Sequence, residues 1–321
     1  YYTGNLEAET GNRYGFQLTF FRSQIAAPAD EKRWPRPASA WRTRQIYLGH
    51  AAVTDISNKR HLQSEVMARG ILGMAGVSQE EMDTLIFIKN WSAKIGADRH
   101  LLKTVTDDFS YELTLKPVKP PVLHGQAGYS RKGSTPERAS CYYSFPRLKT
   151  EGVLTFGAKT IAVQGLSWMD HEFSTTPLEP GIIGWDWFSL QLSDQTEIML
   201  FLLRTEGGHL SPASSGTFID SSGNPRHLTK DDFRVDVLNS WESPHSQAVY
   251  PVHWRLTVFP LAIQLTAKAN LSDQEMRTQA TTGVTYWEGS ISINGSAGKH
   301  PVKGSGYVEL TGYAQSFKAP M

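Results

Sequence analysis

Cysteine is almost absent from this sequence of 321 residues, and so is any excess of one charge. The single cysteine, Cys141, excludes an intrachain disulfide and a zinc site built from thiolates. Lysine and arginine number 32 against 31 aspartates and glutamates, so the chain as a whole offers no basic field for nucleic acid. Nucleic acid is therefore not an expected partner.

Long apolar runs and the signatures of common enzyme classes are missing as well. No window approaches the run of about 20 apolar residues that a membrane-spanning helix needs. The sequence has no phosphate-binding loop, no dinucleotide fingerprint and no Gly-x-Ser-x-Gly nucleophile elbow. His50 and His61 are too far apart to be interpreted as a zinc pair. We therefore expect no cofactor, no metal and no Ser–His–Asp hydrolase.

Short strands dominate what is present. Alternating runs of aromatic and β-branched residues recur between turn-forming residues, for example at 16–20, 110–115 and 254–258. Only two segments have a helical pattern, 64–72 and 78–86, the second with Ser78 as cap and Glu81 three residues on. Many strands and few helices predict an all-β fold of barrels or sandwiches.

An internal repeat is the strongest sign of organisation. Residues 14–18 recur at 186–190, residues 113–117 at 256–260, and the hairpin 142–170 at 286–309. The two copies of the first segment are separated by more residues than the copies of the other two. An insertion at 64–86 in the first half would explain this difference. The repeat predicts two tandem antiparallel β-barrels related by internal duplication, with domains at 1–165 and 166–321 and no flexible linker. Interfaces between domains favour pockets, so we expect one there.

Longer motifs spread over nearly the whole chain carry a resemblance to a known family. They are Tyr14-Gly15-Phe16-Gln17, Trp168-Met169-Asp170-His171-Glu172-Phe173-Ser174, Gly184-Trp185-Asp186-Trp187-Phe188, Tyr286-Trp287-Glu288-Gly289 and Gly306-Tyr307-Val308-Glu309-Leu310-Thr311-Gly312-Tyr313. In these the chain resembles the AttH-like branch of the carotenoid 1,2-hydratase family, which carries the label "predicted secreted hydrolase". The resemblance implies two tandem lipocalin-like (calycin-type) barrels.

The resemblance implies an activity only in part. The hydratases add water to a terminal double bond of an acyclic carotenoid without an organic cofactor. Their pattern places Asp-His-x-Trp on one strand and Tyr-x-Asp on a later one. Here Asp170, His171 and Phe173 match the first part, with phenylalanine for tryptophan, whereas 200–203 holds no carboxylate. If the missing Asp is the proton donor, we expect a different substrate or no reaction.

Alkene hydration needs a strong acid and aromatic faces that stabilise a cation. The candidate acid is Asp170 or Glu172, and His171 would position substrate or water. Strand alternation puts Trp168, Asp170 and Glu172 on one face, and His171 and Phe173 on the other. The competing interpretation is that these groups only pair with arginines across the domain junction.

The remaining candidates form pocket walls or structural pairs. The expected ligand-binding residues are Trp168, Phe173, Trp185, Trp187, Tyr286 and Trp287. Of Trp185 and Trp187, one is expected in the core of a barrel end and the other in the pocket. The expected structural acid and base groups are Asp186, Arg204, Glu288 and Glu309, with Arg22 or Arg204 as the cation. Glu309 occupies the repeat position of Asp170.

Two functions remain open from the sequence. One is binding of an apolar isoprenoid or lipid-like small molecule near the barrel interface. The other is a cofactor-free hydratase or isomerase that acts on an isoprenoid through an acid-initiated carbocation. A structural association with a membrane export system is a third, without a direct sequence feature. Because the numbering opens at Tyr1 and not at methionine, we expect a leader before it and a periplasmic or secreted location.

Overall fold

The computed structural model describes residues 1–37, 39–175 and 178–317, apart from the side chain at position 80. Strands β1 to β13 are Tyr2–Ala8, Arg13–Gln24, Gln45–Asp55, Arg60–Arg69, Ala75–Glu80, Asp83–Ile88, Trp91–Ile95, His100–Val105, Ser110–Pro117, Val122–Leu123, Tyr129–Arg131, Ala139–Phe156 and Lys159–Phe173. Strands β14 to β23 are Ile182–Leu192, Glu197–Thr205, Ser215–Ile219, Pro225–Thr229, Phe233–Glu242, Val249–Val258, Ile263–Ala269, Glu275–Thr278, Val284–Ala297 and His300–Thr311. Short 3-10 turns lie at Pro28–Arg33, Lys230–Asp232 and Phe259–Leu261.

The strands form two antiparallel, barrel-like sheets that share one order over nine positions. The first sheet runs β4-β3-β2-β1-β13-β12-β9-β8-β7 and continues with β6 and β5, while β10 and β11 pair with β12. The second runs β17-β16-β15-β14-β23-β22-β20-β19-β18, and β21 pairs with β22. The predicted pair of tandem barrels related by duplication is therefore confirmed, and the β5–β6 hairpin is an addition to the first barrel.

The strands form because their apolar residues alternate and one face of each strand enters a core. In β8 and β20, buried and exposed residues alternate along most of the strand. The first barrel encloses a core that includes Phe16, Leu18 and Met169. The second encloses a larger core around Phe188, Trp254 and Trp287, which are fully buried. Each such side chain contributes roughly 1.5–3 kcal/mol by its burial.

The two predicted helices are wrong. Residues 60–69 form β4 and pair along their length with β3, while residues 75–88 form the β5–β6 hairpin. Glu81 is not a capping acid, because it lies in the tight turn of that hairpin with φ at 54°. Pairing with neighbouring strands overrides a weak helical spacing of apolar residues. In the part of the chain that the structure describes, no helix is long and apolar enough to cross a membrane.

Only one of the three sequence echoes joins equivalent strands. The hairpin 142–170 is β12–β13, and its echo is β22–β23 at the same place in the second sheet. The other two echoes join β2 with β14 and β9 with β19, which occupy different positions in their sheets. Alternating strands resemble one another over five residues, and this explains the false matches. The predicted domain boundary after residue 165 falls inside β13. The chain passes from the first sheet to the second only between Phe173 and Ile182.

A buried ion triad fastens the two barrels to each other. Lys119 Nζ lies 2.7 Å from a carboxylate oxygen of Glu197, whose other oxygen accepts from the guanidinium of Arg147. Lys119 and Arg147 belong to the first barrel, and Glu197 begins the second strand of the other. The Glu197 side chain is fully buried, and the two cations are nearly so. Removing one member of such a group leaves a buried charge without its partner.

We expect Glu197→Ala to lower the free energy of unfolding by about 3–5 kcal/mol, because Lys119 and Arg147 would stay buried as unpaired cations. Urea unfolding of the whole chain measures this loss. The matched control is Glu151→Ala, which removes the exposed pair of Glu151 and Lys116, 3.3 Å apart, and should cost less than about 1 kcal/mol. Equal losses in both variants would contradict the assignment of a buried triad.

Candidate functional site at the interface between the barrels

A row of side chains crosses the outer face of the first barrel. Asp170 on β13 donates its backbone N–H to the carbonyl of Tyr1, at 2.9 Å. The register continues from Tyr1 to Thr19 on β2, and Thr19 pairs with His50 on β3. Because the adjacent residues Met169, Tyr2 and Leu18 enter the barrel core, alternation turns this row outward. The row faces the second barrel.

The second barrel presents a matching row. Trp187 on β14 pairs with Glu309 on β23, which pairs with Glu288 on β22. Their neighbours Phe188, Val308 and Trp287 lie in the core, so these three residues also point outward. Tyr1 stands edge-on to Trp187, with ring centroids 5.2 Å apart. The two rows therefore meet in the interface.

Asp170 is the most heavily hydrogen-bonded carboxylate of this interface. Its oxygens accept from the Tyr142 hydroxyl at 2.6 Å, the Trp168 indole N–H at 2.6 Å and the Ser144 hydroxyl. Burial raises the pKa of Asp170 to about 6, although these hydrogen bonds favour the ionised form. Asp170 is thus a satisfied carboxylate that orients its three donors near neutral pH.

His124 extends this network toward the surface. Its Nε2 lies 2.6 Å from the Ser144 hydroxyl and its Nδ1 lies 2.9 Å from the hydroxyl of Thr217 in the second barrel. Burial lowers the pKa of His124 to about 3, so the imidazole is neutral. Thr217 also lines a surface groove of about 490 Å³ together with Val122 and His227. The network therefore runs from this groove to Asp170.

Glu288 and Glu309 form the second polar centre, and their situation differs from that of Asp170. They lie directly opposite each other on adjacent strands, where Cβ atoms are about 4.5–5.5 Å apart. Burial, followed by the charge of Glu309, holds the pKa of Glu288 well above its usual range. Burial also raises the pKa of Glu309 to about 7. The pair therefore retains a proton near neutral pH.

Several buried polar atoms around this pair have no hydrogen-bond partner among the described residues. They are Tyr1 OH, Thr3 Oγ1, Gln17 Oε1 and Glu288 Oε1, although the Tyr1 hydroxyl is close enough to Glu288 to favour its ionised form. Thr3 and Gln17 pair across β1 and β2 on the outward face, one step below the row of Tyr1 and Thr19. Buried polar groups without protein partners need one from water or a ligand. Bound water or a ligand at the interface would satisfy these atoms.

Four further side chains close the site. The Trp185 indole N–H donates to Glu309 at 3.1 Å, and the Thr311 hydroxyl donates to the same carboxylate oxygen at 3.1 Å. His50 and the Tyr286 hydroxyl lie 2.9 Å apart on the other side of the pair. Burial lowers the pKa of His50 to about 3, which keeps it neutral. Within the described residues, no cluster of three or more His, Cys, Asp or Glu is arranged to hold a metal ion.

Four predicted site residues lie elsewhere. His171 and Phe173 are exposed on the opposite face of β13, where His171 contacts the Tyr143 hydroxyl at 3.0 Å. Glu172 is exposed and pairs with Lys132 at 3.0 Å, so it lies outside the interface. Trp287 is buried in the second barrel's core and donates to the carbonyl of Ser272, so it does not reach the interface.

The predicted arginine partners are found only for one acid. Arg204 lies 2.9 Å from Asp186, which points away from the interface beside the Tyr313 hydroxyl. No described arginine pairs with Glu288 or Glu309, so the expected structural pairing of these two acids is wrong. Trp168, Trp185, Trp187 and Tyr286, by contrast, all lie at the interface.

Comparison with known proteins agrees with this architecture. The profile of the AttH-like family matches residues 1–313. The chain belongs to the AttH-like family. A solved structure assigned as AttH of Nitrosomonas europaea is 31% identical, with a TM-score of 0.84 over 97% of this chain and 91% of that one. The family predicted from the sequence motifs is thereby confirmed.

Two hydratases are more distant relatives of this AttH-like protein. Kievitone hydratase of Fusarium solani subsp. phaseoli is 22% identical over 213 residues, which are 65% of this chain. The match spans only 57% of that protein. The structure of kievitone hydratase from Nectria haematococca is 16% identical and has a TM-score of 0.71, over 98% of this chain and 88% of that one. At that identity the likeness shows a shared fold.

Several residues of the site escaped the sequence interpretation. Tyr1, Ser144 and His124 belong to none of the motifs from which the site was predicted. One signal was available for Ser144. The Tyr142-x-Ser144 sequence on β12 repeats as Tyr286-x-Glu288 on β22, and alternation puts both pairs on outward faces.

The raised pKa of Glu309 predicts a pH-dependent stability difference between wild type and Glu309→Gln. Because the folded state binds the proton more tightly, wild type loses stability as pH rises from about 4.5 to about 7, and glutamine does not. The variant should gain up to about 3 kcal/mol relative to wild type over this window. Urea unfolding between pH 4.5 and 8 measures it.

The test uses the difference in unfolding free energy between wild type and Glu309→Gln at each pH. Buried neutral histidines such as His50 and His124 give stability the opposite pH dependence, and they do so equally in both proteins. A difference between the two proteins that stays constant from pH 4.5 to 8 would show that Glu309 titrates normally.

Proposed function

We propose that this AttH-like protein is a cofactor-free hydratase that adds water to a carbon–carbon double bond of an apolar, isoprenoid-like molecule bound between the barrels. The observation that carries the proposal is the buried carboxyl pair of Glu288 and Glu309, which holds a proton near neutral pH. The hydratase relatives support the same reaction class. The proposal differs from the sequence-based hypothesis in which Asp170 is the acid.

Glu288 has the properties of the proton donor. Its side chain is 2% exposed, and burial outweighs the neighbouring Tyr1 and Tyr286 hydroxyls, which favour its ionised form. A neutral carboxylic acid in an apolar setting can transfer its proton to an alkene carbon, which creates a carbocation on the neighbouring carbon. The ring faces of Trp187 and Tyr1 would stabilise that cation.

Glu309 then completes the reaction as base. Water attacks the cation and forms the new carbon–oxygen bond, and the Glu309 carboxylate takes the proton that the water releases. The net change is the addition of one water molecule to the double bond. The proton has moved from Glu288 to Glu309, and its transfer back between these facing carboxyl groups restores the starting state.

Asp170 acts as a positioning residue in this scheme. With three donors on its oxygens it has little capacity to give a proton to a substrate, but it holds Tyr142 and Trp168 in place. Tyr142 in turn accepts from the Trp187 indole N–H at 3.0 Å. Asp170 thereby sets the orientation of the aromatic wall against which the cation would form.

The apolar character of the substrate follows from the rest of the wall. Met199, Phe201 and Leu203 on β15 face the interface beside Trp187, at the segment where the hydratase pattern has a carboxylate. Such side chains favour a hydrocarbon chain over a charged substrate.

Purified protein incubated with a panel of acyclic isoprenoids and prenylated compounds should yield a product heavier by one water, with oxygen-18 incorporated from labelled water. Glu288→Gln should lower the rate by about 100-fold or more, because it removes the acid. Glutamine resembles the neutral acid in shape and hydrogen bonding, so the urea midpoint near pH 7 should not fall. Liquid chromatography with mass spectrometry measures both rates.

Glu151→Gln, which changes an exposed acid on the outer surface of the first barrel, is the control and should retain wild-type turnover. Compound recovered bound but unchanged, with the same affinity in Glu288→Gln, would refute the hydratase and favour an apolar-ligand carrier. A hydrated product that persists undiminished in Glu288→Gln would refute the assignment of the acid.

A further inference from the structure

The loop between β2 and β3 concentrates positive charge that the chain as a whole lacks. Residues 25–44 contain five lysines and arginines against two acidic residues, whereas the whole chain has a net charge of only +1. Asp30 and Glu31 neutralise Arg33 and Arg44 in part, at 3.6 and 3.2 Å. Lys32 and Arg36 have no charged partner among the described residues and are exposed.

The same loop exposes large apolar side chains. Trp41 is 60% exposed and Ile25 is 55% exposed, although both are of the size that folding normally buries. The Arg42 guanidinium covers the Trp34 ring at 5.1 Å, and Arg69 of β4 holds the Trp41 carbonyl at 2.9 Å. The loop thus exposes basic and aromatic side chains together.

An exposed apolar row connects this loop with the interface site. Phe21 on β2 pairs with Leu48 on β3, which pairs with Met67 on β4. These residues share the outward face with His50, whose ring lies 5.0 Å from the ring of Phe21. Phe21 is 39% exposed and Met67 is 47% exposed. The row stands between the site and the loop, within about 17 Å of both.

We propose that the exposed residues Ile25, Lys32, Arg36 and Trp41 dock this end of the first barrel on the surface of an anionic phospholipid bilayer. Charge and apolar surface point to the same occupant. Basic side chains are attracted to anionic headgroups, while tryptophan favours the interface between headgroups and acyl chains. A nucleic acid or acidic protein would use the cations but would leave Trp41 and Ile25 without an apolar partner.

This placement gives an apolar molecule a short route from the bilayer to the interface between the barrels. Phe21, Leu48 and Met67 would line the route, and His50 stands at its inner end. Binding of the protein to lipid does not require turnover, so the docking surface is tested independently of the proposed hydration.

Sedimentation of the whole chain with vesicles tests the proposal. Vesicles of phosphatidylcholine and phosphatidylglycerol at 3:1 should bind the protein at low salt, and pure phosphatidylcholine vesicles should bind it at least tenfold more weakly. Lys32→Gln with Arg36→Gln should weaken binding by about 25-fold, or about fivefold for each lost charge. Trp41→Ser should weaken it further, and 0.5 M salt should abolish it.

The matched control is Lys299→Gln with Lys303→Gln, two exposed lysines at the β22–β23 turn, at the far end of the other barrel. This variant should bind vesicles like wild type. Unchanged urea midpoints would show that all variants fold. The proposal is overturned if anionic vesicles bind no better than neutral ones, or if the control weakens binding as much as the loop variant.

Discussion

Two carboxyl groups, Glu288 and Glu309, face each other where the barrels exclude water, and the rest of the interface is organised around this unfavourable pair. Burying two like charges is so costly that the pair must keep a proton. The barrels stay docked over this pair only if the surrounding contacts contribute more free energy than burial of the two carboxyl groups costs. The buried triad around Glu197 and the contacts of Asn5 with Ser290 and Gly306 provide this restraint.

The duplication places corresponding acids on either side of the interface, each opposite a different partner. In the first barrel, Asp170 faces Ser144 across the hairpin, and in the second, Glu309 faces Glu288. A hydroxyl opposite an acid supplies a donor and favours the carboxylate, whereas a second carboxyl supplies repulsion and favours the acid. The residue opposite the acid, Ser144 in the first barrel and Glu288 in the second, therefore separates a hydrogen-bonded carboxylate from a pair that shares a proton.

The fold was predictable from the sequence to a greater extent than the site. Alternation, turn residues and the repeated hairpin 142–170 indicated two duplicated barrels, because these signals are local. The same alternation correctly separated Asp170 and Trp168 from His171 and Phe173. It did not show which outward face would be covered. That depends on how two barrels dock, so Glu288 was expected only as a structural acid that pairs with an arginine.

The location of the site explains why neither barrel would suffice alone. Among the described residues, the second barrel's interior is packed with large buried side chains, including Trp254, Trp287 and Phe188. Its outward face, if solvated, would give Glu288 and Glu309 ordinary acidities, because water would stabilise both carboxylates. Docking of the first barrel removes that water and at the same time adds Tyr1 and the groups ordered by Asp170. The acid and the aromatic wall are therefore created together by one packing event.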